Sequence, residues 1–250
     1  MPDYTICALN FWAERLKTAA AMEVLVPPGA GPFPVLYLLH GLGADCTCWR
    51  RNLAINRHLA NLRMIVAMPS ASKSYYVNGP LPAGLPYEDH IVEDVVGLVD
   101  RTFHTIPDRR ARGVAGVSMG GYGAMMLALR HPELFGAVSS MSGSLYFAAL
   151  SHPRGDEYIT ALMNALPPGR YDLLARASEL AGAEGPRPAI RFDCGKSDFL
   201  LECNRRFAAR LAEVGLEHEF VEYDGGHNWK YWDAVLGDTL KFMTGRLATQ

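Results

Sequence analysis

The chain has 250 residues with 24 basic and 26 acidic side chains, which gives a formal net charge of −2. That balance argues against a surface built to bind nucleic acid or an anionic membrane. A hydrophobic fraction of 49% and a charged fraction of 20% are ordinary for a soluble globular protein. We therefore expect a single domain over residues 1–250, with a large core.

Neither the apolar runs nor the cysteines point to a membrane or an oxidising compartment. No apolar run approaches the roughly 18 residues of a membrane-spanning helix, and the first ten residues lack the basic start of a signal peptide. The odd number and scattered spacing of the cysteines favour reduced packing residues over a disulfide scaffold. These are Cys7, Cys46, Cys48, Cys194 and Cys203. We expect a cytoplasmic protein, and the sequence leaves open whether it forms a homo-oligomer.

Short apolar runs alternate with longer segments of helical spacing along most of the chain. The predicted strands are 4–12, 17–26, 34–39, 63–68, 113–116, 134–141, 189–195 and 217–223. The predicted helices are 47–59, 88–103, 122–130, 200–214 and 231–247. The first two strands resemble an antiparallel edge. The rest predict an α/β fold with a mostly parallel sheet, helices on both faces and a site at the carboxyl ends of the strands.

Two stretches interrupt this alternation. Residues 70–86 are rich in Ser, Tyr, Gly and Pro and are predicted to form a loop. In 145–188, short helical pieces at 157–166 and 172–180 lie between Pro and Gly clusters. This second stretch is too short for a core of its own, so we predict a cap-like insertion over the site rather than a separate domain.

The strongest functional signal is the sequence Gly-Val-Ser-Met-Gly at 116–120. It matches the Gly-x-Ser-x-Gly nucleophile elbow, in which a sharp strand-to-helix turn exposes a serine hydroxyl to a base. A short β-rich run precedes Ser118 and a predicted helix follows it, as the elbow requires. This context favours a nucleophile over a glycine-rich turn that happens to contain a serine.

Two later turns supply the other residues of a catalytic triad. Asp198 follows the strand at 189–195 and His227 follows the strand at 217–223, so the order is Ser, Asp, His, as in α/β-hydrolases. Asp193 and Asp224 are rival acids, but an acid on the loop beyond the strand can better reach the imidazole. The remaining histidines lie in helix, loop or exposed-strand contexts.

A glycine-rich turn follows the predicted central strand at 34–39. On the α/β-hydrolase model, the backbone amides of Leu42 in this turn and of Met119 after the nucleophile form the oxyanion hole. His40 precedes the turn, and we interpret it as a structural hydrogen-bonding residue rather than a catalyst. This chemistry needs no metal and no organic cofactor.

The substrate pocket is harder to place from sequence. Tyr75, Tyr76 and Tyr87 are equally compatible with pocket walls and with ordinary surface aromatics. The predicted pocket residues are Tyr75, Tyr76, Leu145, Tyr146, Phe199 and Trp229.

Four segments together resemble the "putative esterase" (esterase D) family of α/β-hydrolases, with the greatest likeness to small bacterial tributyrin esterases. They are Leu-Leu-His-Gly-Leu-Gly at 38–43, Gly-Val-Ser-Met-Gly-Gly-Tyr-Gly-Ala at 116–124, Asp-Cys-Gly-Lys-Ser-Asp-Phe-Leu at 193–200 and Gly-His-Asn-Trp-Lys-Tyr-Trp at 226–232. The resemblance covers nearly the whole chain. It implies a serine carboxylesterase that prefers short acyl chains, with Ser118, Asp198 and His227 as its triad and a small-molecule ester as its partner.

Other functions stay open at this point. Related enzymes include S-formylglutathione hydrolases and feruloyl or acetyl-xylan esterases, and an acyltransferase would use the same triad. A catalytically inactive fold used for binding is a fourth hypothesis, which the presence of all three triad residues disfavours.

Overall fold

One mixed sheet runs through the computed structural model, which describes residues 4–79, 85–145, 157–167 and 169–249. Within these ranges eight strands follow the order β1-β2-β4-β3-β5-β6-β7-β8. Their bounds are β1 Thr5–Ala13, β2 Thr18–Val26, β3 Val35–Leu39, β4 Ile65–Pro69, β5 Arg112–Val117, β6 Ala137–Met141, β7 Ala189–Gly195 and β8 His218–Tyr223. β2 pairs antiparallel with both β1 and β4, and the strands from β4 to β8 are parallel. The predicted α/β class and antiparallel edge are confirmed.

Helices connect the parallel strands. They are α1 Cys48–Asn52, α2 Ile55–Leu59, α3 Tyr87–Asp89, α4 Val96–Thr102, α5 Met119–Arg130, α6 Glu157–Ala165, α7 Leu173–Gly182, α8 Leu201–Glu213 and α9 Trp229–Arg246. A π-helical turn, His90–Val95, joins α3 to α4, and a 3-10 turn, Arg109–Ala111, precedes β5. None of the helices described is long and apolar enough to cross a membrane.

The prediction of one continuous helix over 47–59 is wrong, because the segment forms two helices, α1 and α2, with a break between them. Leu53 is extended at this break, with φ −128° and ψ 150°. Both Leu53 and Ile55 are buried in the same apolar cluster. Residues two apart lie on nearly opposite faces of a continuous helix, so the break allows both side chains to reach the core.

The central strands are buried on both faces of the sheet. In β3, Val35, Tyr37 and Leu39 enter one apolar cluster, which also contains much of α5. Leu36 and Leu38 enter the cluster on the other face, which α9 covers. Burial on both faces explains why this strand has a continuous apolar sequence rather than an alternating one.

A buried carboxylate ties three distant segments together. Glu88 in α3 is 1% exposed and accepts hydrogen bonds from Arg130 at 2.6 Å, His131 at 2.8 Å and Tyr171 at 2.8 Å. Burial raises the pKa of Glu88, but these three donors and the charge of Arg130 outweigh burial and lower the pKa to about 2. The elbow helix α5 and the segment carrying Tyr171 are thereby fastened to α3.

Glu88→Gln is expected to lower the free energy of unfolding at neutral pH by about 3 kcal/mol, because it leaves buried donors poorly paired. The folded pKa of Glu88 lies below its usual 4.5. Its contribution is therefore full above about pH 4.5 and is lost as the pH falls toward 2. Urea unfolding across this range should show wild type and variant converging in acid. Glu213→Gln, at an exposed ion pair, should change stability by less than about 1 kcal/mol.

Candidate active site

The elbow predicted at 116–120 places Ser118 between β5 and α5. Its backbone has φ 55° and ψ −116°, a conformation that residues other than glycine rarely adopt. Hydrogen bonds hold this conformation, from the Ser118 amide to the Met141 carbonyl at 3.0 Å and from the Tyr122 amide to the Ser118 carbonyl at 3.0 Å. The turn presents the serine hydroxyl at the carboxyl edge of the sheet.

Two glycines allow this turn to close. A Cβ on Gly116 would lie 2.4 Å from the Gly120 carbonyl oxygen, and a Cβ on Gly120 would lie 2.5 Å from the Leu39 carbonyl oxygen. Real Cβ atoms do not approach backbone oxygens so closely. The glycine positions of the motif are therefore required by the packing of α5 against β3 and β5.

Gly120→Ala is expected to destabilise the fold by about 3 kcal/mol or more, since the added Cβ would collide with the carbonyl oxygens of Leu39 and His40 and the backbone would have to shift. Gly237→Ala provides a matched control, for which we expect a change in stability of opposite sign. Gly237 lies inside α9 with open space around it, so alanine should stabilise by about 0.5–1 kcal/mol. Thermal unfolding of both variants checks the pair, and equal effects would contradict this account of the elbow.

The structure brings Ser118, His227 and Asp198 together. His227 Nε2 lies 2.9 Å from Ser118 Oγ, and His227 Nδ1 lies 2.9 Å from Asp198 Oδ2. The Asp198 side chain is fully buried and that of His227 is 13% exposed. The three groups thus form one hydrogen-bonded series from a buried carboxylate to a serine at the surface of the cavity.

Asp198 is held as a carboxylate. Burial raises its pKa, but hydrogen bonds from His227 and from the Leu200 amide outweigh this and leave the pKa below its usual value. The Leu200 amide donates to Oδ1 at 2.9 Å, while Oδ2 faces the imidazole. Because both oxygens of Asp198 act as acceptors, His227 must carry its proton on Nδ1 and offer Nε2 to the serine.

The rival acids lie elsewhere. Asp193 is buried beneath α9, where it accepts hydrogen bonds from Arg191 Nη1 and the Tyr231 hydroxyl, each at 2.7 Å. Asp224 is exposed and pairs with Lys196 at 2.9 Å. Neither carboxylate takes the place of Asp198 beside the imidazole.

His40 has the geometry expected of a structural residue. Its Nε2 accepts from the Ala71 amide at 2.9 Å, and its Nδ1 donates to the Gly41 carbonyl at 2.8 Å. Burial lowers the pKa of His40, despite the opposing effect of the Gly41 carbonyl. The neutral ring therefore ties the turn after β3 to the loop after β4.

The two predicted oxyanion donors flank the serine. Met119 is the first residue of α5, a position whose amide has no acceptor within its own helix. Leu42 lines the cavity beside Ser118, in the turn where a Cβ on Gly41 would lie 3.6 Å from Ser118 Cβ. An oxyanion hole needs two backbone amides beside the nucleophile, and Leu42 and Met119 lie in the positions to supply them next to Ser118.

A cavity of about 380 Å³ opens above Ser118. Its described lining residues are Gly41, Leu42, Ala44, Tyr75, Val117, Ser118, Ser144, Phe199, Leu200, His227, Asn228, Trp229 and Trp232. Among these described residues none is acidic or basic apart from His227, and aromatic and aliphatic side chains dominate.

The structure separates the predicted pocket residues into two groups. Tyr75, Phe199 and Trp229 line the cavity. Tyr76 does not, which corrects its assignment, because its ring is fully buried and its hydroxyl donates to the His40 carbonyl at 3.0 Å.

Leu145 is likewise buried in the core rather than in the cavity wall, and Tyr146 lies outside the described residues. The sequence reasoning missed Trp232, although its spacing of three residues from Trp229 on α9 would place both indoles on one helix face.

Within the described ranges, no group of three or more His, Cys, Asp and Glu side chains is placed to hold a metal ion.

The strand order and the serine that follows β5 place this chain among the serine hydrolases of the α/β-hydrolase fold. The model of the "Putative esterase" family matches residues 13–243. The chain therefore belongs to this family and is a carboxylic ester hydrolase.

Named proteins show how far the similarity extends. An acetyl esterase of Caldicellulosiruptor saccharolyticus is 24% identical, covering 96% of this chain and 98% of its own. FphF, a fluorophosphonate-binding serine hydrolase of Staphylococcus aureus solved with substrate bound, is 25% identical with a TM-score of 0.87, covering 97% of this chain and 99% of its own. A solved ferulic acid esterase is 26% identical with a TM-score of 0.84, covering 98% and 99%.

Proposed function

We propose that this protein hydrolyses short-chain acyl or aryl esters through an acyl-enzyme on Ser118. The observation that carries the proposal is the continuous pair of 2.9 Å contacts from Asp198 to His227 and from His227 to Ser118. In this arrangement Ser118 is the nucleophile, His227 the general base and acid, and Asp198 the group that orients the imidazole.

Acylation begins when Ser118 Oγ attacks the ester carbonyl and His227 Nε2 takes the hydroxyl proton. The amides of Leu42 and Met119 stabilise the negative oxygen of the tetrahedral intermediate, where losing one such donor typically costs about 3–4 kcal/mol. His227 then delivers its proton to the departing alkoxide, which leaves an acyl group on Ser118.

Deacylation repeats the sequence with water. His227 removes a proton from a water molecule that attacks the acyl-enzyme, and the acid is released as the proton returns to Ser118 Oγ. Asp198 stabilises the imidazolium in both halves of the reaction. His227 is thus the proton acceptor and the proton donor in every step.

The cavity supports an uncharged substrate of modest size. Its described lining is mostly apolar and aromatic, and its volume of about 380 Å³ lies at the small end of ligand pockets. Similarity to a protein named acetyl esterase supports a short acyl chain. A glutathione thioester carries carboxylates, for which these lining residues offer no cationic partner.

Hydrolysis of a feruloyl ester is a second candidate, favoured by the aromatic lining and by similarity to a ferulic acid esterase. It would place the aromatic ring on the acyl side of the ester rather than on the alcohol.

A panel of substrates separates these possibilities. We expect the highest kcat/KM for p-nitrophenyl acetate to butyrate and lower values for octanoate, methyl ferulate and S-formylglutathione. Initial rates on matched concentrations of each ester would test this ranking, and a preference for S-formylglutathione or methyl ferulate would replace the proposed substrate class.

We further propose that residues 1–250 form one domain and act in the cytoplasm. Ile159, Leu162 and Leu173 of the predicted insertion are buried in the same cluster as α5, which supports a single core. None of the five cysteines, all of which lie in the described part of the chain, forms a disulfide, which is compatible with a reducing compartment.

A further inference from the structure

Phe199 is the most exposed aromatic ring in the described lining of the cavity. It immediately follows Asp198 and is 52% exposed, whereas Trp232 on the same cavity is 7% exposed. Exposed apolar surface beside a site often marks where a ligand binds, because the ligand removes that surface from water.

The Phe199 ring lies against the imidazole of His227. Their ring centroids are 4.7 Å apart with an interplanar angle of 52°. Trp232 also packs edge-on against His227, with ring centroids 5.1 Å apart, and edge-on against Trp229, again at 5.1 Å. Among the described residues, the imidazole therefore has a buried aromatic neighbour, Trp232, and a half-exposed one, Phe199.

The proposed reaction fixes which part of an ester comes near these rings. His227 Nε2 must protonate the leaving oxygen, so the alcohol group departs from the His227 side of the site. The carbonyl oxygen points instead toward the amides of Leu42 and Met119. A substituent on the alcohol thus passes beside the ring that packs on His227.

Resting on the proposed function, we propose that Phe199 is a specificity-determining residue that binds the alcohol portion of the ester, and that the preferred alcohols are uncharged and aromatic or bulky and apolar. Such a group would cover the exposed ring of Phe199 and complete the aromatic wall formed with Trp229 and Trp232. The acyl group lies away from Phe199 and is selected by other parts of the cavity.

A series of acetates that differ only in the alcohol tests this assignment. For Phe199→Ala, we expect kcat/KM to fall about tenfold for phenyl and 2-naphthyl acetate, and less than about twofold for trifluoroethyl acetate. Comparing variant with wild type on each substrate cancels the intrinsic reactivity of the leaving group. Phe199→Leu, which retains apolar surface but no ring, should give intermediate losses.

Deacylation supplies a second readout, because the alcohol has already left. The rate of acetyl-enzyme hydrolysis, measured after a pre-steady-state burst, should be the same in Phe199→Ala and wild type. Trp12→Ala is the matched control, since Trp12 is 59% exposed on the edge strand β1 and should leave every rate unchanged.

Equal losses for all acetates together with slower deacylation would overturn the proposal, since Phe199 would then act through His227. Losses for Phe199→Ala that change with the acyl chain across p-nitrophenyl acetate to butyrate, rather than with the alcohol across the acetates, would also overturn it. If wild type hydrolysed none of these esters, the proposed function itself would fail, and that outcome is distinct from the other two.

Discussion

Ser118→Ala is expected to lower kcat for ester hydrolysis by about a million-fold, the scale observed when a serine nucleophile is removed from an intact triad. In the described part of the chain, the hydroxyl hydrogen-bonded to His227 Nε2 is Ser118 Oγ, at 2.9 Å. The variant keeps the imidazole and both proposed oxyanion amides. Any residual rate would therefore come from transition-state binding and not from covalent catalysis.

A fluorophosphonate probe gives a readout that does not depend on the choice of ester. Wild type should be labelled at Ser118, and Ser118→Ala should take no label while unfolding at a similar temperature. Thr244→Ala is a suitable control, since this hydroxyl bonds to the Lys241 carbonyl near the far end of α9. A folded wild-type protein without label at Ser118 would favour a binding role over an enzyme.

The hydrophobic pattern of the sequence predicts most of the strands and helices, because an element buried on one face has a different spacing of apolar residues from one buried on both faces. β3 and residues 113–117 of β5 are continuous apolar or small-residue runs because both of their faces are covered. The same patterning misses the break between α1 and α2, which arises because Leu53 and Ile55 must reach one cluster. That requirement belongs to the tertiary structure and leaves no mark in local propensity.

The proposed triad is more predictable than the pocket. Ser118, Asp198 and His227 each follow a strand in a turn of recognisable sequence, so topology alone brings them to one edge of the sheet. Tyr75 and Tyr76 are adjacent and chemically identical, yet only Tyr75 lines the cavity. Both adopt positive φ angles, 52° and 60°, a backbone conformation rare for residues other than glycine, so an alternating or helical pattern does not predict which ring faces the site.

Replacing Asp198 by asparagine carries the second largest expected effect, a loss of about ten-thousand-fold in kcat. Both carboxylate oxygens accept hydrogen bonds, from the Leu200 amide and from His227 Nδ1, each at 2.9 Å. An amide can satisfy only one of these donors with its oxygen. If that oxygen stays on Leu200, the NH₂ group faces Nδ1, which must then accept.

The consequence for catalysis is a change of tautomer. With Nδ1 as an acceptor, the proton of a neutral His227 resides on Nε2 and points at Ser118 Oγ, so the imidazole cannot act as its base. Asp224→Asn, at an exposed ion pair with Lys196, should leave kcat within about twofold of wild type.

Asp193→Asn separates the chemistry from stability. It weakens the buried contact with Arg191 and should lower the unfolding temperature while retaining most of kcat, because the His227 tautomer is unaffected. Initial rates and thermal unfolding of Asp198→Asn, Asp224→Asn and Asp193→Asn therefore show which carboxylate is the catalytic acid. A ten-thousand-fold loss in Asp193→Asn with near-normal activity in Asp198→Asn would assign the catalytic acid to Asp193 instead.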